Sequence, residues 1–347
     1  MRTGTSLQTR IGTVIGVLLL SGWPPVSAVN TSPLITVMLH PADHFSDPEI
    51  QQALDQLPAE GGTVLLAPGR YAIQRPIWLS RNDLTLRGSG AATILRLADE
   101  ADCPVVILGS TAGNATRGVH DLRLADLVID GNRDHQLREQ WLDARNTSGI
   151  QNNGIMIQDV SNSIVEAVVV AHCRSGGLVT ANGTRGLTVR DFTAYDNQFD
   201  GLACYRTEDC VFTNLNLHDN QAAGISLDLS FDRNRISDAT LTGNDLGIFM
   251  RWSSDNQFRQ VTIRQSRHDG VFMAQWGGPE SAGWQPQPRT ECVGNHFVGL
   301  SIFNCAGDPF RVNDATCINN VIEGGMFSGN GDGGLGALGA GLVRVPD

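Results

Sequence analysis

The chain has 347 residues, ample for one large core, with 39 glycines, only 6% aromatic and 18% charged residues, and a formal net charge of -11. Frequent glycine with few aromatics suits short strands and tight corners rather than a helical bundle, and the acidity excludes a nucleic-acid binder, which needs a basic surface. An anionic saccharide stays possible if a local arginine cluster or a bridging cation, with calcium the natural type, holds it. From the start, Arg2 and Arg10, the apolar stretch Ile11 to Leu20 and the small residues Val26-Ser27-Ala28 read as a signal peptide over 1–28. That predicts a secreted or periplasmic mature chain, 29–347, with no membrane span after cleavage. Asn30, Asn114, Asn146 and Asn182 each begin an N-x-S/T triplet.

Ser46-Asp47-Pro48-Glu49 reads as a helix start with proline in the first turn, and Ile50, Ala53, Leu54 and Leu57 give that helix one apolar face. Such a helix would plug the end of a solenoid, whose core is otherwise open. Gly62 to Ile73 and Trp78 to Leu97 read as strands and turns of the first, less regular coils. A repeat then takes over. Glycine followed by an aliphatic residue recurs at Gly154, Gly177, Gly201, Gly224, Gly247 and Gly270, in steps of 23, 24, 23, 23 and 23. The first and third residues after each glycine are mostly apolar, as in Ile225/Leu227 and Ile248/Met250, the period of a strand with one buried face. A second apolar group follows about ten residues on, and a third closes the unit, as in Leu215/Leu217.

Three short strands per unit predict an all-β fold, a single right-handed parallel β-helix whose rungs stack at ~4.8 Å. Asn197, Asn220 and Asn244 fall at equivalent corners, as expected of an asparagine ladder that satisfies turn backbone groups. Two insertions, 132–153 and 276–294, interrupt the rhythm, and the glycine-rich 329–341 run reads as an irregular tail. The mature part holds seven cysteines, an odd number, so at least one thiol is free. Cys173 and Cys204 read as core residues, and Cys305 with Cys317 as the pair to be bridged.

On these residues the chain resembles the pectate-lyase-like superfamily. The block from Ile50 to Tyr71, followed by Asn82 to Gly90, looks like the opening of many of its members, and Leu187 to Tyr205 is similar to the mannuronan C5-epimerase module. The resemblance implies a β-helix acting on polysaccharide. That module carries a Tyr-Gly-Phe-Asp-Pro-His motif, where this chain has Gly176 to Ala181. The module's following aspartate falls on Tyr205, and its Arg-His pair on Ala222-Ala223. The epimerase machinery is therefore missing at every matched position, and so are the paired aspartates and Gly-His-Gly of polygalacturonases.

The repeat also locates outward side chains. The second residue after each glycine gives Met156, Val179, Ala203, Ser226, Phe249 and Phe272; the fourth gives Gln158, Ala181, Tyr205, Asp228, Arg251 and Ala274. Tyr205, Asp228 and Arg251 thus stack on consecutive rungs, in the column that the resembled module uses for catalysis. They are expected to face solvent. Asp228 beside Arg251 is expected to have a depressed pKa, suiting a base or cation ligand, while Arg251 neutralises a uronate carboxylate and Tyr205 shuttles a proton. His268 is the nearest imidazole. Phe249, Trp252, Phe272, Gln275 and Trp276 are the expected substrate-binding residues. The structural alternative is a tyrosine–carboxylate–arginine stack that only pairs neighbouring strands. The leading functional reading is a lyase or epimerase on a uronate-containing polysaccharide. The alternatives are a glycoside hydrolase using Asp228 and Asp200, with Asp200 otherwise a turn residue, and a non-catalytic glycan-binding module.

Overall fold

A computed structural model describes residues 35–110, 118–139, 151–275, 290–331 and 342–345. The expected signal peptide and Trp276 lie outside these residues, as do Asn30, Asn114 and Asn146. Every strand pairing among the described residues is parallel, in two long sheets. One sheet stacks Ile155–Gln158, Leu178–Ala181, Leu202–Glu208, Ala223–Asp232, Leu246–Arg251, Val271–Ala274 and Phe310–Val312. The other stacks, among others, Ile164–Ala171, Thr188–Tyr195, Val211–His218, Arg235–Thr242 and Gln257–Arg264. The second and third short strands expected of each rung are joined in this sheet. They form one segment bent through a left-handed residue such as Asp191, Asn214, Asp238 or Gln260.

The register is the one the glycine repeat defines: Ile225 pairs with Ile248 and Ile248 with Val271. Ile225, Leu227, Ile248 and Met250 are completely buried. The glycines recur because the next rung passes too close for a side chain. A Cβ on Gly224 would lie 2.8 Å from the Asn244 amide nitrogen, and one on Gly247 would lie 2.3 Å from the Gly270 carbonyl.

That corner is built by the expected ladder. The Asn220 amide donates to Asn244 Oδ1 (2.9 Å) and to the Ala194 carbonyl (3.1 Å), while its own Oδ1 accepts from Asn197. A second ladder, Asn234–Asn256–Asn295–Asn320, lines another corner in the same way. Its steps of 22, 39 and 25 residues hide it from a fixed-period reading.

The capping helix spans Asp47–Gln56, with Ile50, Ala53, Leu54 and Leu57 buried against the first rungs. Ser46 makes no side-chain cap; Asp47 instead accepts from the Gln74 amide and Arg75. All seven cysteines are free thiols, Cys173 and Cys204 in the core as expected. Cys305 and Cys317 are not bridged, because they sit on different corners. The Cys305 amide donates to Asn330 near the first ladder, whereas Cys317 lies three residues before Asn320 of the second. Beyond the glycine-rich run, Leu342–Val345 adds a further strand on Asn320–Glu323.

Candidate functional site

On the outer face of the first sheet, two environments meet. Ile107, Met156, Val179 and Ala203, in successive rungs, form a buried apolar cluster separate from the core, and Ala181 and Tyr205 pack against it. One rung further the column turns polar and aromatic: Ser226, Phe249, Phe272 and then Arg311. The candidate site lies at this boundary.

Tyr205 pairs in register with Asp228. Asp228 points away from the core but is only 3% exposed, so the expectation that it faces solvent is wrong. The outward side of a rung is not automatically wet, since neighbouring outward side chains cover it. Burial raises the Asp228 pKa, and Arg251 and the Leu229 amide only partly offset this, reversing the expected depression. Arg251 grips Asp228 Oδ2 with both Nε, at 3.1 Å, and Nη2, and Oδ1 accepts the Leu229 amide at 2.8 Å. A carboxylate whose oxygens are committed to a guanidinium and an amide does not fit a divalent cation, so no calcium role is assigned to Asp228.

Directly after Asp228 the strand carries a bulge, with Leu229 (φ 53°) and Ser230 (φ 72°) both left-handed where the preceding rung has Arg206 alone. Two consecutive left-handed non-glycine residues are strained, and such strain persists where packing over-determines it.

Asp200, at the corner before this sheet, caps the Ala223 amide at 2.9 Å, the turn role expected of it. It is also hemmed in by protein while still reaching solvent, and this desolvation lifts its pKa to about 7. Tyr205 is in the same position. Burial pushes its phenol upward, and the charges of Asp200 and then Asp228 add to that, with Ser226 in hydrogen-bonding reach. The lowered pKa that a tyrosine base would need is thus reversed. The phenol thus feels the charges of both carboxyls, that of Asp200 more than that of Asp228.

Phe249 and Phe272 stack at 5.6 Å with an 8° interplanar angle, both half-buried. The guanidinium of Arg251 lies 4.9 Å from the Phe249 ring centre and that of Arg311 lies 5.3 Å from Phe272. Arg311 escapes the repeat because the second insertion separates its strand from Val271–Ala274, leaving it 39 residues beyond Phe272.

His268 stands on an exposed turn with Nδ1 2.8 Å from Asp245, and no contact joins it to Asp228 among the described residues. Trp252 is a left-handed corner residue (φ 43°) whose carbonyl accepts the Ser230 amide. The Gln275 side chain meets Thr290 and Thr316, which ties it to the chain returning from the second insertion.

The family model described as a right handed beta helix region matches residues 111–263. The chain is a right-handed parallel β-helix protein. Mannuronan C5-epimerase AlgE1 from Azotobacter vinelandii is 29% identical over 191 residues, 52% of this chain and 13% of that protein. Alginate lyase 7 from the same organism is 30% identical over 187 residues, 51% of this chain and 21% of that protein. The chain therefore spans only a small part of these relatives. Among solved structures, the endo-xylogalacturonan hydrolase of Aspergillus tubingensis superposes with a TM-score of 0.62 at 14% identity, covering 90% of this chain and 92% of that one. That likeness shows the fold.

Proposed function

We propose that this chain is a polysaccharide-active enzyme in which Asp200 and Asp228, whose charges both act on Tyr205, form an acid–base pair. The observation that carries this reading is their unequal environment. Among the described residues Asp200 has no cationic partner, and its pKa is raised to about 7, so it can hold a proton for a leaving oxygen. Asp228 is fixed by Arg251, which favours its ionised form against burial. Glycosidic hydrolysis uses such a pair: one carboxyl protonates the bridging oxygen while the other, as carboxylate, activates water or attacks carbon. Phe249 and Phe272 offer faces for sugar rings, and Arg311 beside them suits an acidic substituent.

A second reading, elimination or epimerisation on a uronate, is favoured by the names of the sequence relatives. It asks Arg251 to neutralise the substrate and Tyr205 to lose its proton, and both are engaged against those roles. An extracellular or periplasmic location, read from residues 1–28, belongs to the same proposal. Among the described residues no helix is long and apolar enough to cross a membrane.

The test is incubation with a panel of acidic and neutral polysaccharides, measuring new reducing ends, ultraviolet absorbance of unsaturated sugars and the uronate epimer ratio. Reducing ends without unsaturation are expected, with Asp200→Asn and Asp228→Asn each lowering the rate by about 100-fold or more. Unsaturated or epimerised products would replace hydrolysis with the second reading. Full activity in both variants would move the chemistry elsewhere on the solenoid.

A further inference from the structure

The second asparagine ladder defines a column of inward side chains. Each ladder asparagine donates its amide to the carbonyl of the residue three places before the preceding ladder position. Asn234 donates to Thr207, Asn256 to Phe231, Asn295 to Ser253 and Asn320 to Cys292, all at 2.8–3.0 Å. Thr207, Phe231 and Ser253 are in-register neighbours on successive rungs. The column continues with Cys292 and then Cys317, three residues before Asn320. The rungs stay in step beyond them, since Gly294 donates to the Ile318 carbonyl and His296 pairs with Val321. Both cysteines are completely buried in the same core.

We propose that Cys292 and Cys317 form a disulfide between adjacent rungs when the chain folds in an oxidising compartment. Adjacent in-register residues of a parallel stack lie ~4.8 Å apart at Cα, inside the ~4.4–6.8 Å window that a disulfide spans. Both side chains enter the core three residues before a ladder asparagine, at the same corner of adjacent rungs. The thiols already interact: burial first, and then the hydrogen bond with Cys317, pushes Cys292 well above the ordinary thiol range, and the same hydrogen bond lowers Cys317. During folding the thiolate of one of the two cysteines attacks a disulfide oxidant such as oxidised glutathione and displaces one reduced glutathione. The other cysteine then loses its proton and attacks the protein sulfur of the mixed disulfide, releasing the second and leaving the Sγ–Sγ bond.

Because both sulfurs are sealed in the finished coil, the bond forms before the last rungs close. It would tie the chain returning from the second insertion to the C-terminal rungs, next to Ala274, whose carbonyl meets Cys292 Sγ at 3.5 Å.

The experiment refolds the full chain with reduced and oxidised glutathione, alkylates remaining thiols in denaturant, and maps non-reduced peptides by mass spectrometry. The expected result is one peptide pair joining Cys292 to Cys317, two hydrogens lighter. The other five cysteines should be alkylated, and the melting temperature should be higher than after refolding in dithiothreitol. Cys292→Ser and Cys317→Ser should abolish that redox-dependent difference, while Cys305→Ser keeps it. Full alkylation of both residues after oxidative refolding, or a link from Cys317 to Cys305, would overturn the proposal. Should the serine variants fail to fold, the peptide map of the unaltered chain still decides it.

Discussion

Replacing Asn220 by alanine tests whether the corner ladders, rather than the core alone, hold the rungs in register. The Asn220 side chain takes part in four buried hydrogen bonds: two accepted from the Asn197 amide and side chain, and two donated, to Ala194 and Asn244. Alanine removes all four and strands their partners in a site with no exposure. At ~1 kcal/mol per bond, the loss is about 4 kcal/mol, and more if the orphaned Asn197 amide and Ala194 carbonyl find no water. Set against a total of ~5–15 kcal/mol for a folded domain, this is a large fraction. Denaturant unfolding with hydrogen exchange is the assay, since a solenoid can open locally around the defect. Amides of residues 194–200 and 218–224 should lose protection first. Asn216→Ala, on the exposed side of the neighbouring strand, is the control and should stay within ~0.5 kcal/mol of the unaltered chain. An Asn220→Ala variant as stable as that control would refute the ladder's role.

Asp200 carries a prediction that needs no substrate. Its folded pKa of about 7 stands above its ordinary 3.8, so its contribution to stability is full below pH ~4 and is lost as pH rises through about 7. Asp200→Asn keeps an acceptor for the Ala223 amide and should flatten that decline in unfolding free energy between pH 4 and 8; an unchanged slope would contradict the raised pKa. Leu227→Asp should yield no soluble, cooperatively melting chain, because an unpaired carboxylate in the core costs several kcal/mol; recovery of a normal melt would contradict the register. Arg251→Ala should destabilise by ~3–5 kcal/mol at pH 8, since it leaves buried Asp228 without its partner, and by less at acidic pH, since burial already raises the Asp228 pKa and favours its neutral form. A loss of ~0–1 kcal/mol at both values, as for a surface pair, would show that Asp228 is solvated.

The fold was legible because its cause is local and recurrent. A rung glycine, two alternating apolar residues and a corner asparagine repeat at an almost constant step, and each has one packing solution. Where insertions break the step, the reading failed. The second ladder and Arg311 both involve partners 39 residues apart, which no fixed-period ruler joins. The site was legible as a column but not as an environment. Periodicity tells that Tyr205, Asp228 and Arg251 leave the core. It does not tell that Asp228 is then covered, or that Asp200 at a corner is desolvated. Those facts depend on packing between rungs, and they set the acidities on which the chemistry rests. The Cys305–Cys317 expectation failed similarly, since the two cysteines stand at different corners of the coil.

The apolar patch outside the first sheet, from Ile107 to Ala203, makes that sheet dry on both sides for several rungs and polar on one side thereafter. The solenoid axis is therefore a graded medium, in which an outward position one rung further on differs in polarity while its backbone geometry is unchanged. A repeat that gains or loses a rung on the apolar side would carry its outward carboxyls across this boundary as a block. Acidity in such a protein is set by where along the stack a residue falls, so the same aspartate, shifted by one repeat, would become a different acid without any change in its own strand.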